Sequence, residues 1–151
     1  MTDQAKKHAI ILMADDDEDD CLLVREALKK NPLAQEIHFA HDGKKLLEYL
    51  EGCTSSPANP CPDLILLDLN MPRLDGREAL REIKADLRFR SIPVVILTTS
   101  KAERDIEFCY GLGANAYIIK PMSFEELVQT MDCLGEFWFR FTTLPRKGKA
   151  S

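Results

Sequence analysis

DLILLD, residues 63–68, running directly into LNMPRLDG, residues 69–76, is the stretch that decides the fold. Its apolar core is a short run bounded by aspartates, suited to a strand buried on both faces. Strands of that kind belong to parallel sheets, whose crossover helices cover both sides.

Outward from it, apolar runs and helical patterns alternate along the whole chain. HAIILMA (8–14), PVVILT (93–98) and NAYIIK (115–120) read as further strands, and EIHFA (36–40) is strand-like by alternation. Between them lie CLLVREALKK, closed by Asn31 and Pro32, then DGKKLLEYLEG, REALREIKADL and AERDIEFCYGLG, all helical by period. GCTSSPANPCP (52–62) is a loop, and SFEELVQTMDCLGEFWFRF (123–141) reads as one long helix with Ser123 as its N-cap. The order βαβαβαβαβα predicts an α/β, flavodoxin-like (βα)5 doubly wound parallel sheet of order 2-1-3-4-5. Residues 8–141 form the domain, with an extension over 1–7 and a tail over 142–151.

Composition narrows the function. The 151 residues carry a net charge of -5, which argues against broad nucleic-acid or anionic-membrane binding, the basic tail Arg146, Lys147 and Lys149 being too short to outweigh the acidic body. MTDQAKKHAI lacks the apolar stretch of a signal peptide and no segment is long enough to span a bilayer, so a cytoplasmic location is expected. Cys21, Cys53, Cys61, Cys109 and Cys133 are scattered without a C-x-x-C and suit reduced thiols packed as small apolar residues. Cys53 and Cys61, at the loop, are the pair open to metal or disulfide chemistry.

The chemistry gathers where the predicted strands end. The first delivers Asp15 and Asp16, the third Asp68 and then Asn70, the fourth Thr98 and Thr99, the fifth Lys120. In this topology those ends share one crevice. Hard carboxylate oxygens without a nearby His or Cys select Mg²⁺, Mn²⁺ or Ca²⁺ over zinc, and His8, His38 and His41 read as surface or core residues. Lys120 and Thr98 would then serve a phosphoryl group bound with octahedral Mg²⁺. Of the six consecutive acids Asp15–Asp20, two face the metal. Asp17 caps the first helix, and Glu18, Asp19 and Asp20 occupy its first turn, where the helix dipole favours acids.

IILMADD, LILLDLNMPRLDG, VVILTTS and AYIIKP, in that order and spacing, resemble the signatures of two-component response-regulator receiver domains over residues 8 to 140. The resemblance implies that Asp68 accepts a phosphoryl group from a phosphohistidine on a sensor histidine kinase. It implies that Asp16 holds Mg²⁺ directly, Asp15 through water, and the Asn70 carbonyl as a further ligand. Lys120 would pair with the phosphoryl oxygens, the Lys120–Pro121 bond would be cis, and Thr98 and Tyr117 would move as the switch. Met122 departs from the bulkier residue common after the Lys-Pro pair. Such a domain is a phosphoacceptor rather than an enzyme.

The long loop before the third strand, REALREIK and the EFWF…TLP ending are similar to the small response regulators paired with bacterial phytochromes, which form homodimers. That implies a phytochrome-like kinase as partner and dimerisation through the face of helix 4, strand 5 and helix 5. Phe137, Trp138, Phe139 and Phe141 are candidate interface residues, because they cannot all face one core stripe. By helical spacing Trp138 and Phe141 point inward, Phe137 and Phe139 outward. With no DNA-binding segment read after the domain, output is expected to pass through a protein contact. The alternatives are a monomeric motility-type switch, a phosphorelay intermediate or a phosphate sink. The distant alternatives from another class, a calcium- or flavin-binding protein, are disfavoured by chemistry. A calcium loop on Asp15, Asp17, Asp19 and Glu26 places Asp20 where Gly is needed, and a flavin site would meet an anionic loop.

Overall fold

The computed structural model describes residues 9–31, 35–55 and 58–145. The extension 1–7, His8 and the basic tail residues Arg146, Lys147 and Lys149 lie outside the described residues. Five strands, β1 (Ala9–Ala14), β2 (Gln35–Ala40), β3 (Leu64–Leu67), β4 (Val94–Thr98) and β5 (Ala116–Ile119), form one sheet of order β2-β1-β3-β4-β5. Every pairing is parallel. The helices are α1 (Glu18–Lys29), α2 (Gly43–Cys53), α3 (Gly76–Ala85), α4 (Glu103–Leu112) and α5 (Phe124–Gly135). The predicted flavodoxin-like topology is the observed one, and no described helix is long and apolar enough to cross a membrane.

Alternation along the central strands builds two cores. Leu12 and Ala14, Ile65 and Leu67, Val94 and Ile96 face Leu46 and Leu50 of α2 and Leu80 and Ile83 of α3. Their neighbours Ile11, Met13, Leu64, Leu66, Val95 and Leu97 face Val24 and Leu28 of α1 and Leu127 and Met131 of α5. Fully burying such a side chain contributes roughly 1.5–3 kcal/mol, so the inner strands are the rigid part of the molecule. β5, at the sheet edge, is only half-buried along its length.

Four of these helices, α1, α2, α3 and α5, start at a side-chain cap. Asp17 Oδ1 accepts from the N–H groups of Asp19 (2.9 Å) and Asp20 (3.3 Å), Asp42 Oδ1 from Lys45 N (2.7 Å), and Ser123 Oγ from Glu126 N (3.1 Å). Asp75 caps α3 through Arg77 N at 2.7 Å.

Three expectations are corrected. Residues 123–141 are not one α-helix: after Gly135 the chain winds into a π-helical segment, Glu136–Phe141, with Thr142 N donating to Phe137 O at 2.8 Å. A π turn moves the side-chain repeat from i+4 towards i+5, so Phe139 follows Leu134 inward and Phe141 swings out, 71% exposed. Trp138 packs inward and Phe137 outward, as the spacing predicts. Second, Cys53 and Cys61 are joined by a disulfide rather than reduced. Cys53 is the last residue of α2, and Tyr49 Oη donating to Pro60 O at 2.8 Å folds the loop back beside it. Third, among the described residues no peptide bond is cis, so Lys120–Pro121 is trans, the form that an X–Pro pair favours intrinsically.

The loop from Asp68 to α3 is held by two close approaches. A Cβ on Gly76 would meet Asp68 O at 2.1 Å, and one on Gly43 would meet Leu74 O at 2.0 Å. Gly76→Ala should therefore push the backbone of Asp68 and destabilise the fold by about 1–3 kcal/mol, read as a lower urea midpoint; an unchanged midpoint would show the loop to be pliable.

Candidate functional site

Parallel register sets the first two acids side by side. Ala14 pairs with Leu67, Asp68 N donates to Ala14 O (2.9 Å) and Asp15 N to Ala40 O (3.0 Å), so Asp15 and Asp68 leave adjacent strands at one level. Both are buried, while Asp16 stands exposed at the rim. Carboxylate oxygens of Asp15, Asp16 and Asp68 lie within 4.8 Å of one another.

Lys120 enters from the end of β5, its N–H donating to Thr98 O at 2.8 Å. Its Nζ lies 2.8 Å from Asp15 Oδ2, 3.3 Å from Asp68 Oδ2 and 2.6 Å from Asp20 Oδ2. Burial opposes the Lys120 charge, but the Asp15 and Asp20 carboxylates overcome it and raise its pKa above the ordinary value. Burial likewise pushes Asp15 up to about 6, against the pull of Lys120 and of the Asp17 N–H. The two shifts have different causes: burial disfavours the Asp15 anion, whereas neighbouring carboxylates favour the Lys120 cation.

The residues fit a hard divalent cation. Asp68 Oδ1 is buried with no hydrogen-bond partner among the described residues, whereas Asp15 Oδ2 is met by the Lys120 ammonium at 2.8 Å. Buried anionic oxygens without donors are costly unless a positive charge meets them. Three carboxylates and no nitrogen or sulfur ligand suit Mg²⁺ or its hard relatives.

Two residues have contacts that the sequence reading did not foresee. Asp20, assigned there to helix electrostatics, makes the shortest contact with Lys120, because the first turn of α1 stands over the strand ends. His41, read as remote, places Nδ1 3.2 Å from Asp15 O. Asn70 is exposed two residues beyond Asp68.

The remaining predicted residues meet at the loop after β4. Thr98 is fully buried and its Oγ1 accepts from Ser100 N at 3.5 Å. Tyr117, half-buried, donates its hydroxyl to Ser100 O at 3.0 Å. Ser100 Oγ donates to Asp105 Oδ2 at 2.6 Å, and Asp105 is gripped by Arg77 Nε and Nη2 at 2.9 and 2.8 Å. Nothing local in the sequence marks that pair, which joins α3 to α4 across 28 residues.

A parallel five-stranded sheet with this acid cluster and lysine at its carboxyl edge defines a signalling receiver rather than a nucleotide site. Residues 11–132 match the family described as the response regulator receiver domain, and the chain belongs to it. It is similar to Response regulator Rcp1 of Synechocystis sp. (strain PCC 6803), 37% identical over 145 residues, which cover 96% of this chain and 99% of Rcp1. It is also similar to the crystal structure of the phosphorylated cyanobacterial phytochrome response regulator RcpA, at 41% identity and TM-score 0.85, covering 93% of this chain and 100% of that one. The Mn²⁺-bound form of Rcp1 superimposes with TM-score 0.82 at 38% identity, over 91% of this chain and 99% of that one. The chain is thus a response regulator homologous to phytochrome response regulators.

Arg77 holds the Asp105 carboxyl down to about 2, with Ser100 adding to the effect. A depressed folded pKa gives stability that is fully present above the unfolded value, ~3.9, and is lost as pH falls through the folded one. The stability difference between wild type and Asp105→Asn should thus be flat from neutral pH to about 4 and shrink towards about 2. Urea unfolding across that range checks it; a difference that grows on acidification would contradict the assignment.

Proposed function

We propose that the chain is a receiver over residues 8–141 that accepts a phosphoryl group on Asp68 from a phosphohistidine of a phytochrome-like sensor histidine kinase. The observation that carries this reading is the buried Asp68 carboxylate: one oxygen has no hydrogen-bond partner among the described residues, the other is paired to Lys120, and Asp15 and Asp16 stand beside it. In the transfer, an Asp68 oxygen forms the new bond to phosphorus as the phosphorus–nitrogen bond breaks, and that bond's electron pair returns to the imidazole. Asp15, Asp16, Asp68 and the Asn70 carbonyl would hold Mg²⁺, which when bound neutralises charge on the transferred group. Lys120 supplies the protein's own positive charge to the same oxygens. Thr98 offers its hydroxyl, and Tyr117 carries the change to the surface of α4, β5 and α5 as the switch. The Mn²⁺-bound form of Rcp1 supports a divalent ion for this donor set.

The same chemistry makes the chain a phosphoacceptor rather than an enzyme acting on other molecules. Wild-type protein with Mg²⁺ should take up label from acetyl phosphate, and Asp68→Asn or removal of Mg²⁺ by chelation should abolish it. Undiminished labelling of Asp68→Asn would mean that the acceptor lies elsewhere.

Homodimerisation through the α4–β5–α5 face is part of the proposal. β5 is an edge strand, and Ala116, Ile118, Leu134, Phe137 and Trp138 line a groove of about 490 Å³ between it and the last helix. Phe137 and Phe141, 55% and 71% exposed, add apolar surface beyond it. Trp138 and Phe139 contribute from beneath rather than by direct projection. This favours the dimer over a monomeric motility switch, relay or sink. Gel filtration with and without beryllofluoride should show a dimer in at least one state, and Phe137→Ser should weaken it; a monomer under both conditions removes the dimer.

A further inference from the structure

The β4–α4 loop is fastened at both ends of one residue. Ser100 offers its carbonyl to the Tyr117 hydroxyl (3.0 Å) and its own hydroxyl to Asp105 Oδ2 (2.6 Å), while Ala102 N donates back to Ser100 Oγ at 3.3 Å. Asp105 is buried on the first turn of α4, and a buried carboxylate must be paired to stay charged. Arg77 pairs it with two parallel N–H donors and uses Nη1 on Asp75 Oδ2 at 2.9 Å. Arg77 is itself fixed, because it follows Gly76, whose Cα lies against the carbonyl of Asp68. A continuous chain of contacts therefore runs from the backbone of Asp68 through Arg77, Asp105 and Ser100 to Tyr117.

We propose that Arg77 and Asp105 are positioning residues of the switch: through Ser100 they hold the β4–α4 loop in the form whose carbonyl takes the Tyr117 hydroxyl, and so tie α4 to the loop of Asp68. This rests on the receiver reading for its consequence but not for its geometry. Neither residue touches the phosphoryl site. With the tie broken, events at Asp68 no longer reach α4 in full, because the loop between them has lost the contact that makes the two move together.

Asp105→Asn, Arg77→Met and their combination, with Ser100→Ala, test it by NMR. The Ser100 and Ala102 amides should exchange roughly tenfold or more faster in each variant, the loss expected when a charge-assisted contact goes. The double variant should be no worse than the more affected single one, because both cut the same chain. Beryllofluoride should shift resonances beside Asp68 in every protein, but those of residues 103–112 in α4 much less in the variants than in wild type. Unchanged amide exchange, additive single effects, or full α4 shifts in the variants would overturn the proposal. Ser100→Ala removes a single hydroxyl and decides the matter should Arg77→Met not fold. If acetyl phosphate fails to label the wild type, the phosphoacceptor reading falls, whereas the exchange rates still decide whether the tie exists.

Discussion

The molecule is organised around the repulsion between carboxylates gathered at one edge of its sheet. Two unit charges about 4 Å apart repel by roughly 4 kcal/mol at an effective dielectric near 20, and here Asp15, Asp20 and Asp68 share the Lys120 ammonium, with Asp16 beside them at the rim. Lys120 offsets part of that repulsion by reaching three of them at once. The remainder is an affinity for positive charge. The raised pKa of Lys120 expresses that excess of negative charge, while Asp15 is pushed up by its burial.

Such a cluster needs a stiff frame, since an acid free to swing into solvent would do so. The frame is the inner sheet: β1, β3 and β4 are buried on both faces, and the cluster begins where their pairing ends. The loop beyond Asp68 is pressed down by Gly43 and Gly76, and Arg73 turns within it at φ 70°. Stiffness falls off towards β5, the half-buried edge. One side of the sheet thus holds charge in place, and the other leaves room for a surface to change.

The change from α to π winding after Gly135 bears on that surface. It turns Phe139 towards the core and presents Phe137 and Phe141 to solvent, so the apolar face beside β5 differs from the one that a continuous α-helix would offer. π turns are frequent at functional sites, since the wider turn re-aims side chains. The disulfide between Cys53 and Cys61 lies at the far end of α2 from its capped N-terminus and closes the loop leading to β3.

The strand order and the meeting of Asp15, Asp16, Asp68 and Lys120 could be read in the sequence. Buried parallel strands announce themselves as unbroken apolar runs, and in this topology their carboxyl ends have one place to go. The caps at Asp17 and Ser123 were legible for the same reason, being local. What tertiary structure decided were the contacts between distant segments and the departures from regular winding. Asp20 on Lys120 joins residues 100 apart, Arg77 on Asp105 joins two helices, and Cys53 finds Cys61 because Tyr49 draws the loop home. The π segment and the trans Lys120–Pro121 bond belong with them, for periodicity and resemblance describe an average chain. Local pattern fixes which face a residue takes within its own element; only packing fixes which other element that face meets.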